Sequence, residues 1–218
     1  MNPLMQAIRT NAIAIGVFAI VTAAIIAFTQ LATRERIAHN KVEFQARALY
    51  EIVPQSVDPE LLSHEIQLPA APELGYPHGV TGWQAIQAGQ VVTVLLPVIA
   101  PDGYNGDIEL LVGVKADSSL AGVRVLSHRE TPGLGDRIEL SKSDWILSFT
   151  GARKAINHDP SWAVKKDGGR FDQFTGATIT PRAIVNATAR AIEFFRAHRA
   201  QLLQPVTADA AAAAGVTP

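Results

Sequence analysis

The chain contains no cysteine. That excludes disulfides, thiolate-held zinc and cysteine-ligated iron–sulfur clusters within it, and leaves its compartment open. It has no basic run or stripe, and its 19 Lys and Arg nearly balance its 20 Asp and Glu. Nothing therefore marks a nucleic-acid surface. No Gly-rich dinucleotide fingerprint follows a strand-like run, and no Gly-x-Ser-x-Gly elbow appears. His39, His64, His78, His158 and His198 are scattered. His128 and Glu130 stand close enough in sequence to suggest a metal pair, but no third ligand supports one.

What is present begins with a long apolar run. Residues 11–32, NAIAIGVFAIVTAAIIAFTQLA, hold no charge, and Asn11, Thr22, Thr29 and Gln30 are the clearly polar positions. As a helix this run is about 33 Å long, enough for a hydrocarbon core of roughly 30 Å. A buried core helix normally keeps a polar face, and this run has none. A cleaved signal peptide wants a small residue three back from the cut, which Gln30-Leu31-Ala32 lacks. The run reads as a retained anchor. Arg9 precedes it, and Arg34, Arg36 and Lys41 follow. A plain count of positive charges would put the C-terminal bulk in the cytoplasm.

Residues 33–53 read as a helix with Ala38, Val42, Leu49, Ile52 and Val53 on one apolar stripe, stopped by Pro54. Residues 58–78 are proline-rich and loop-like, with a short helical turn around residues 59–63. The pattern then changes. Residues 82–87, 90–99, 107–115 and 120–128 are Val, Ile and Leu runs cut by AGQ, PDGYNGD and ADSSLAG. They predict consecutive antiparallel strands. Residues 145–149 are a further strand candidate, and 162–164 and 171–173 weaker ones. From Pro181 on, Ile184, Thr188, Ala191, Ile192 and Phe195 recur at helical spacing. Thr180 suits the N-cap and Pro181 the first helical position. Arg196, His198 and Arg199 suit the C-terminal end of the dipole. Residues 208–218 form an alanine-rich tail expected to be disordered. The bulk is one α+β domain of roughly 160 residues.

Two loops carry the candidate chemistry. DQFTGAT, residues 172–178, runs into the last helix. A helix start offers free N–H groups and a partial positive charge, which suit a phosphate. Gly176 and Ala177 leave room for it, and Thr175, Thr178 and Thr180 supply hydroxyls. On spacing alone an ordinary tight turn with an N-cap explains the same letters. The second loop, HRETPGLG at residues 128–135, follows a predicted strand and contains Glu130, Thr131, Pro132 and Gly133. By itself it reads equally as a Pro-Gly turn with solvated charges.

Together, HRETPGLG and DQFTGAT resemble the two signatures of the FMN-binding domain in the G-type subunit of the Rnf ion-translocating electron-transport complex. The equivalent flavin subunit of the sodium-pumping NADH:quinone reductase is similar. The resemblance covers nearly the whole chain outside the alanine tail. It implies a short cytoplasmic N-terminus at residues 1–10 and a transmembrane helix at 11–32. A stalk helix at 33–54, an FMN-binding domain at 55–204 and a disordered tail at 205–218 follow. The implied fold is α+β: a single N-terminal transmembrane helix, a helical stalk, then an antiparallel sheet with a packed C-terminal helix.

The resemblance also implies one covalent FMN per chain. A flavin transferase moves FMN from FAD onto the last threonine of the motif, here Thr178, as a phosphoester. Gly176 and Ala177 would give access, and Asp172 and Thr175 would belong to the recognised signal. Glu130, Thr131, Gly133 and Leu134 would line the flavin side. Tyr76, Trp162, Phe171 and Phe174 are aromatic candidates for stacking that serve equally as core. The implied role is a redox subunit that relays electrons in a ferredoxin- and NAD-linked complex of the bacterial inner membrane. Its implied partners are the other subunits, the transferase and membrane lipid, with no nucleic acid. The C-terminal domain would face the periplasm, against the charge count. A membrane-anchored flavin sensor, the equivalent subunit of the sodium-pumping enzyme, and a hydrolase using His128 as base are the alternatives.

Overall fold

The computed structural model describes residues 3–156 and 159–206. His158 and the alanine-rich tail expected to be disordered lie outside the described residues. The chain divides into two units between Phe44 and Gln45.

The first helix, α1 (Pro3–Ile52), runs without a break through the first unit. Its apolar stretch has a mean hydropathy of 2.5, and none of it is buried. Phe18, Ile20, Ile25 and Phe28 all stand exposed. By length and composition α1 is the one helix among the described residues able to cross a membrane. The hydroxyls inside it are satisfied locally. Thr22 donates to the Phe18 carbonyl at 2.8 Å and Thr29 to the Ile25 carbonyl at 2.8 Å. Bonding four residues back lets a hydroxyl sit in an apolar helix without an unmet donor.

The second unit begins with the end of α1. Ala48, Leu49, Ile52 and the following Val53 are buried, whereas Ala38 and Val42 of the expected stripe are exposed. Five strands follow: β1 (Glu65–Leu68), β2 (Val80–Gln87), β3 (Gln90–Gly103), β4 (Gly106–Lys115) and β5 (Leu120–Ser127). They pair antiparallel in chain order as a meander. Then come α2 (Ile179–Ala197) and the short α3 (Arg199–Leu202). The fold is α+β with an antiparallel sheet and a packed C-terminal helix, as the sequence implies.

The strand runs are continuously apolar because both faces of the sheet are covered. Val94, Leu96 and Val98 of β3, with Leu110, Val112 and Val114 of β4, join Ile184, Ala191, Ile192 and Phe195 of α2 in the main core. The alternate residues Leu95 and Leu111 face the other way. They pack with Leu49, Ile52, Trp83 and Ala85 in a second cluster. Gly113 and Gly122 pair across β4 and β5 beneath Ile52. A Cβ at Gly113 would lie 2.5 Å from Ile52 Cγ2. The end of α1 therefore approaches the sheet over two positions without side chains. Glu51 fixes the same contact by accepting from Arg124 Nε at 2.7 Å.

Three local expectations are corrected. Residues 145–149 form no strand; Asp144–Phe149 is a 3-10 helix, started by Ser143 Oγ accepting the Trp145 N–H at 3.1 Å. Its buried residues, Ile146 and Phe149, are three apart, the 3-10 period. The weaker candidates 162–164 and 171–173 reduce to a single Val164–Phe171 bridge. The sequence reading also passes over β1 in the proline-rich stretch. This edge strand is only four residues long, too short for alternation to declare itself.

Gly113→Val is expected to destabilise the chain by about 1–3 kcal/mol through overpacking against Ile52. Denaturant unfolding of the full chain in detergent reads this, and an unchanged midpoint would refute the close approach.

Candidate functional site

The site starts at the β3–β4 hairpin. Tyr104 and Asn105 form its two-residue tip, and Gly106 takes a positive φ of 108°. Such a φ suits glycine in a tight hairpin. Loop 128–135 leaves β5 beside this tip. It turns at Pro132 and Gly133, where Gly133 has φ 78° and donates its N–H to Asp136 Oδ1 at 2.8 Å. Leu134 and Gly135 both donate N–H to the Thr131 carbonyl.

Glu130 ties these pieces together. It is only 5% exposed. Its Oε1 accepts the Asn105 N–H at 3.1 Å, and its Oε2 accepts the hydroxyl of Thr180. Its own N–H donates to His128 Nδ1 at 3.0 Å. Two glycines make room for the carboxylate. A Cβ at Gly135 would lie 2.8 Å from Oε2, and one at Gly103 would lie 3.0 Å from Oε1.

The second loop is held by aromatic rings. Phe171 stacks on Phe149 with centroids 4.5 Å apart. Trp145 meets the rings of Phe149 and Phe174 edge-on. Its indole N–H donates to the Asp172 carbonyl at 2.7 Å. Phe174 to Ala177 then make a turn closed by the Ala177 N–H on the Phe174 carbonyl at 3.1 Å. Gly176, third in that turn, has φ 83°, a value that excludes most side chains. It also meets the first loop: a Cβ there would be 3.8 Å from Leu134 Cδ2.

The two loops thus border one cleft of about 560 Å³. Of the residues that the resemblance assigns to FMN, Glu130, Thr131, Leu134, Gly176, Ala177 and Thr178 line it. Gly133, Asp172 and Thr175 do not. Asp172 is exposed and pairs with Lys165 at 2.6 Å, and Thr175 is exposed on the turn. Thr180, expected as a cap, lines the cleft as well. Sequence reasoning missed Tyr104, Lys166 and Ile179. Tyr104 sits in PDGYNGD, which reads only as a turn, and Lys166 sits in no motif. Trp162, Phe171 and Phe174 are buried in the core, and with Tyr76 they stay off the cleft lining.

The three hydroxyls differ. Thr180 is not the helix cap. The helix begins one residue before it, and the Thr180 hydroxyl is spent on Glu130. Pro181 falls inside the first turn, where its missing N–H had no intrahelical partner to lose. Thr178 occupies the cap position in helical geometry (φ −75°, ψ −27°), with no side-chain cap hydrogen bond. Its half-buried hydroxyl is left uncommitted at the cleft.

His128 is fully occupied. Its Nδ1 accepts from Glu130, so Nε2 carries the proton and donates to Glu139 Oε1 at 3.0 Å. Among the described residues no three His, Asp or Glu side chains gather as a metal site. Beside the cleft, Asp167 accepts from Arg182 Nε at 2.7 Å and from its second nitrogen at 3.0 Å. The Arg182 hydrogen bonds hold the Asp167 carboxyl below the ordinary carboxylate range.

Comparison with known proteins matches residues 103–193 to the FMN-binding domain family and residues 1–52 to the RnfG N-terminal region. The first range contains every residue lining the cleft. A relative from Vibrio vulnificus is 41% identical over 93% of this chain and 97% of its own length. One from Pseudomonas aeruginosa is 47% identical over 89% and 92%. One from Shewanella loihica is 43% identical over 92% and 95%. Each is named as the G-type subunit of an ion-translocating oxidoreductase complex.

Thr180→Val should cost about 1–3 kcal/mol, because it strips a donor from a buried carboxylate. Thr180→Ser should lose far less. Equal unfolding midpoints for the wild type and the valine variant would remove Glu130 from its central place. A second outcome concerns pH. The folded Asp167 carboxyl is depressed, so its contribution is present above the ordinary carboxylate range and disappears as pH falls below it. The melting-temperature difference between wild type and Asp167→Asn should therefore be seen at neutral pH and shrink as pH falls below the ordinary carboxylate range. A difference that persists there would contradict the pairing.

Proposed function

Because the chain belongs to the family of G-type subunits of ion-translocating oxidoreductase complexes, we propose that it is a membrane-bound redox subunit relaying electrons through one FMN esterified to Thr178. The observation that carries the attachment point is the contrast among three threonines. Thr180 is buried and bonded to Glu130, and Thr175 lies outside the cleft. Thr178 alone of the three lines the cleft with an unspent hydroxyl.

The cleft fits the group. Its volume of about 560 Å³ lies within the range of small-molecule sites, roughly 300–1,000 Å³. When bound, FMN supplies the electron-transfer chemistry, and the protein supplies position and environment. Thr178 would hold the phosphate through its hydroxyl oxygen. Gly176 and Ala177 leave the approach open, and the free N–H groups at the start of α2 favour an anion there. Leu134, Ile179 and Tyr104 would cover apolar parts, with Thr131 as a polar neighbour. Gly133 shapes the loop behind them. Glu130 holds the helix start in place.

Attachment follows the transferase reaction that the resemblance implies. The Thr178 oxygen bonds to the flavin-side phosphorus of FAD, the diphosphate bond breaks, AMP leaves, and the threonine proton is released. Asp172 and Thr175 on the exposed side of the loop suit recognition by the transferase. Residues 11–32 are assigned to the membrane span, 33–54 to the stalk and 55–204 to the FMN-binding domain. The domain is assigned to the periplasmic side of the inner membrane. Any cysteine-held iron–sulfur cluster of the complex belongs to another subunit, since this chain has no cysteine.

In a strain with an active transferase, Thr178→Ala should lose the fluorescent flavin band on a denaturing gel. The variant should still fold, since the Thr178 hydroxyl makes no cap hydrogen bond. A band of undiminished intensity would place the linkage elsewhere.

A further inference from the structure

The charges lining the cleft are one anion and one cation, Glu130 and Lys166. Glu130 is bonded by two neutral donors, the Asn105 N–H and the Thr180 hydroxyl. No cation pairs with it among the described residues. A phosphodiester on Thr178 would bring a second negative charge into the same partly enclosed space. Like charges in such surroundings are poorly screened. The start of α2 offsets only about half a charge.

Lys166 is placed to offset the rest. Its neighbours are already committed: Lys165 to Asp172 at 2.6 Å, and Asp167 to Arg182 by two hydrogen bonds. Lys166 itself forms no ion pair within 4 Å among the described residues, although its charge also helps to hold the Asp167 carboxyl low, after the larger effect of Arg182. Its backbone is fixed. The Lys166 N–H donates to Gln173 Oε1 at 3.1 Å, and the Lys165 N–H donates to the Phe171 carbonyl at 2.7 Å. The 3-10 turn Lys165–Asp167 is thereby stitched to the loop that carries Thr178.

We propose that Lys166 is the residue that neutralises the phosphodiester on Thr178, making the cleft a phosphate site as well as a flavin site. This rests on the reading of Thr178 as the attachment point.

The test is ³¹P NMR of the full chain, flavinylated in a strain with an active transferase and purified in detergent. At neutral pH the phosphodiester resonance of Lys166→Gln should differ in chemical shift from that of the wild type, because the cation beside the phosphate is lost. Lys166→Arg, which keeps a cation at that position, should bring the resonance back toward the wild-type position. A Lys166→Gln chain that folds yet takes up no FMN, while Lys166→Arg takes it up, supports the same role. Superimposable ³¹P resonances of wild type and Lys166→Gln would overturn it. A wild-type chain with no phosphodiester at Thr178 would instead sink the attachment reading, so the two failures are distinct.

Discussion

Three segments of this chain meet at the carboxylate of Glu130. It accepts the Asn105 N–H from the β3–β4 hairpin and the Thr180 hydroxyl from the first turn of α2, and it belongs to the loop after β5. Gly103 and Gly135 are stripped of side chains where it lies. A buried carboxylate without those donors would be costly. With them it becomes a fixed joint. Because Thr180 is engaged there, the helix start is set, and Thr178 two residues before it is left at the cleft with its hydroxyl free. The chemical readiness of one threonine is a consequence of how another is bonded.

The rest of the domain makes that joint rigid. A meander sheet covered on both faces holds the hairpin and the loop after β5 at one end of neighbouring strands. The aromatic cluster of Trp145, Phe149, Phe171 and Phe174 holds the second loop from behind. Arg137 and Arg170 lie over its rings. Aromatic contacts of this kind order a loop that has little regular structure of its own. Functional side chains thus sit on loops, and packed elements fix where the loops go.

Much of this was legible in the sequence. Strands β2 to β5 declare themselves because turn letters separate long β-branched runs, and α2 because its buried residues keep helical spacing. The two loop motifs were legible as a pair, and the structure brings them into contact through Leu134 and Gly176. What stayed hidden was tertiary. Residues 144–149 have an apolar content that suits a strand, and one serine cap makes them a 3-10 helix. Thr180 looks like a cap until Glu130, fifty residues away, claims its hydroxyl. Tyr104 and Lys166 reach the cleft only because the hairpin tip and a short turn fold toward it. No local spacing encodes such meetings.

The central claim is a covalent bond between one named oxygen and FMN. Peptide mapping of the intact chain, expressed with an active flavin transferase, addresses it most directly. The account predicts the mass of FMN less one water on the peptide containing Thr178, and on no other peptide. An unmodified Thr178 peptide, with the transferase active on a control substrate, would contradict it. The cleft would then be a site for a reversibly bound ligand at most.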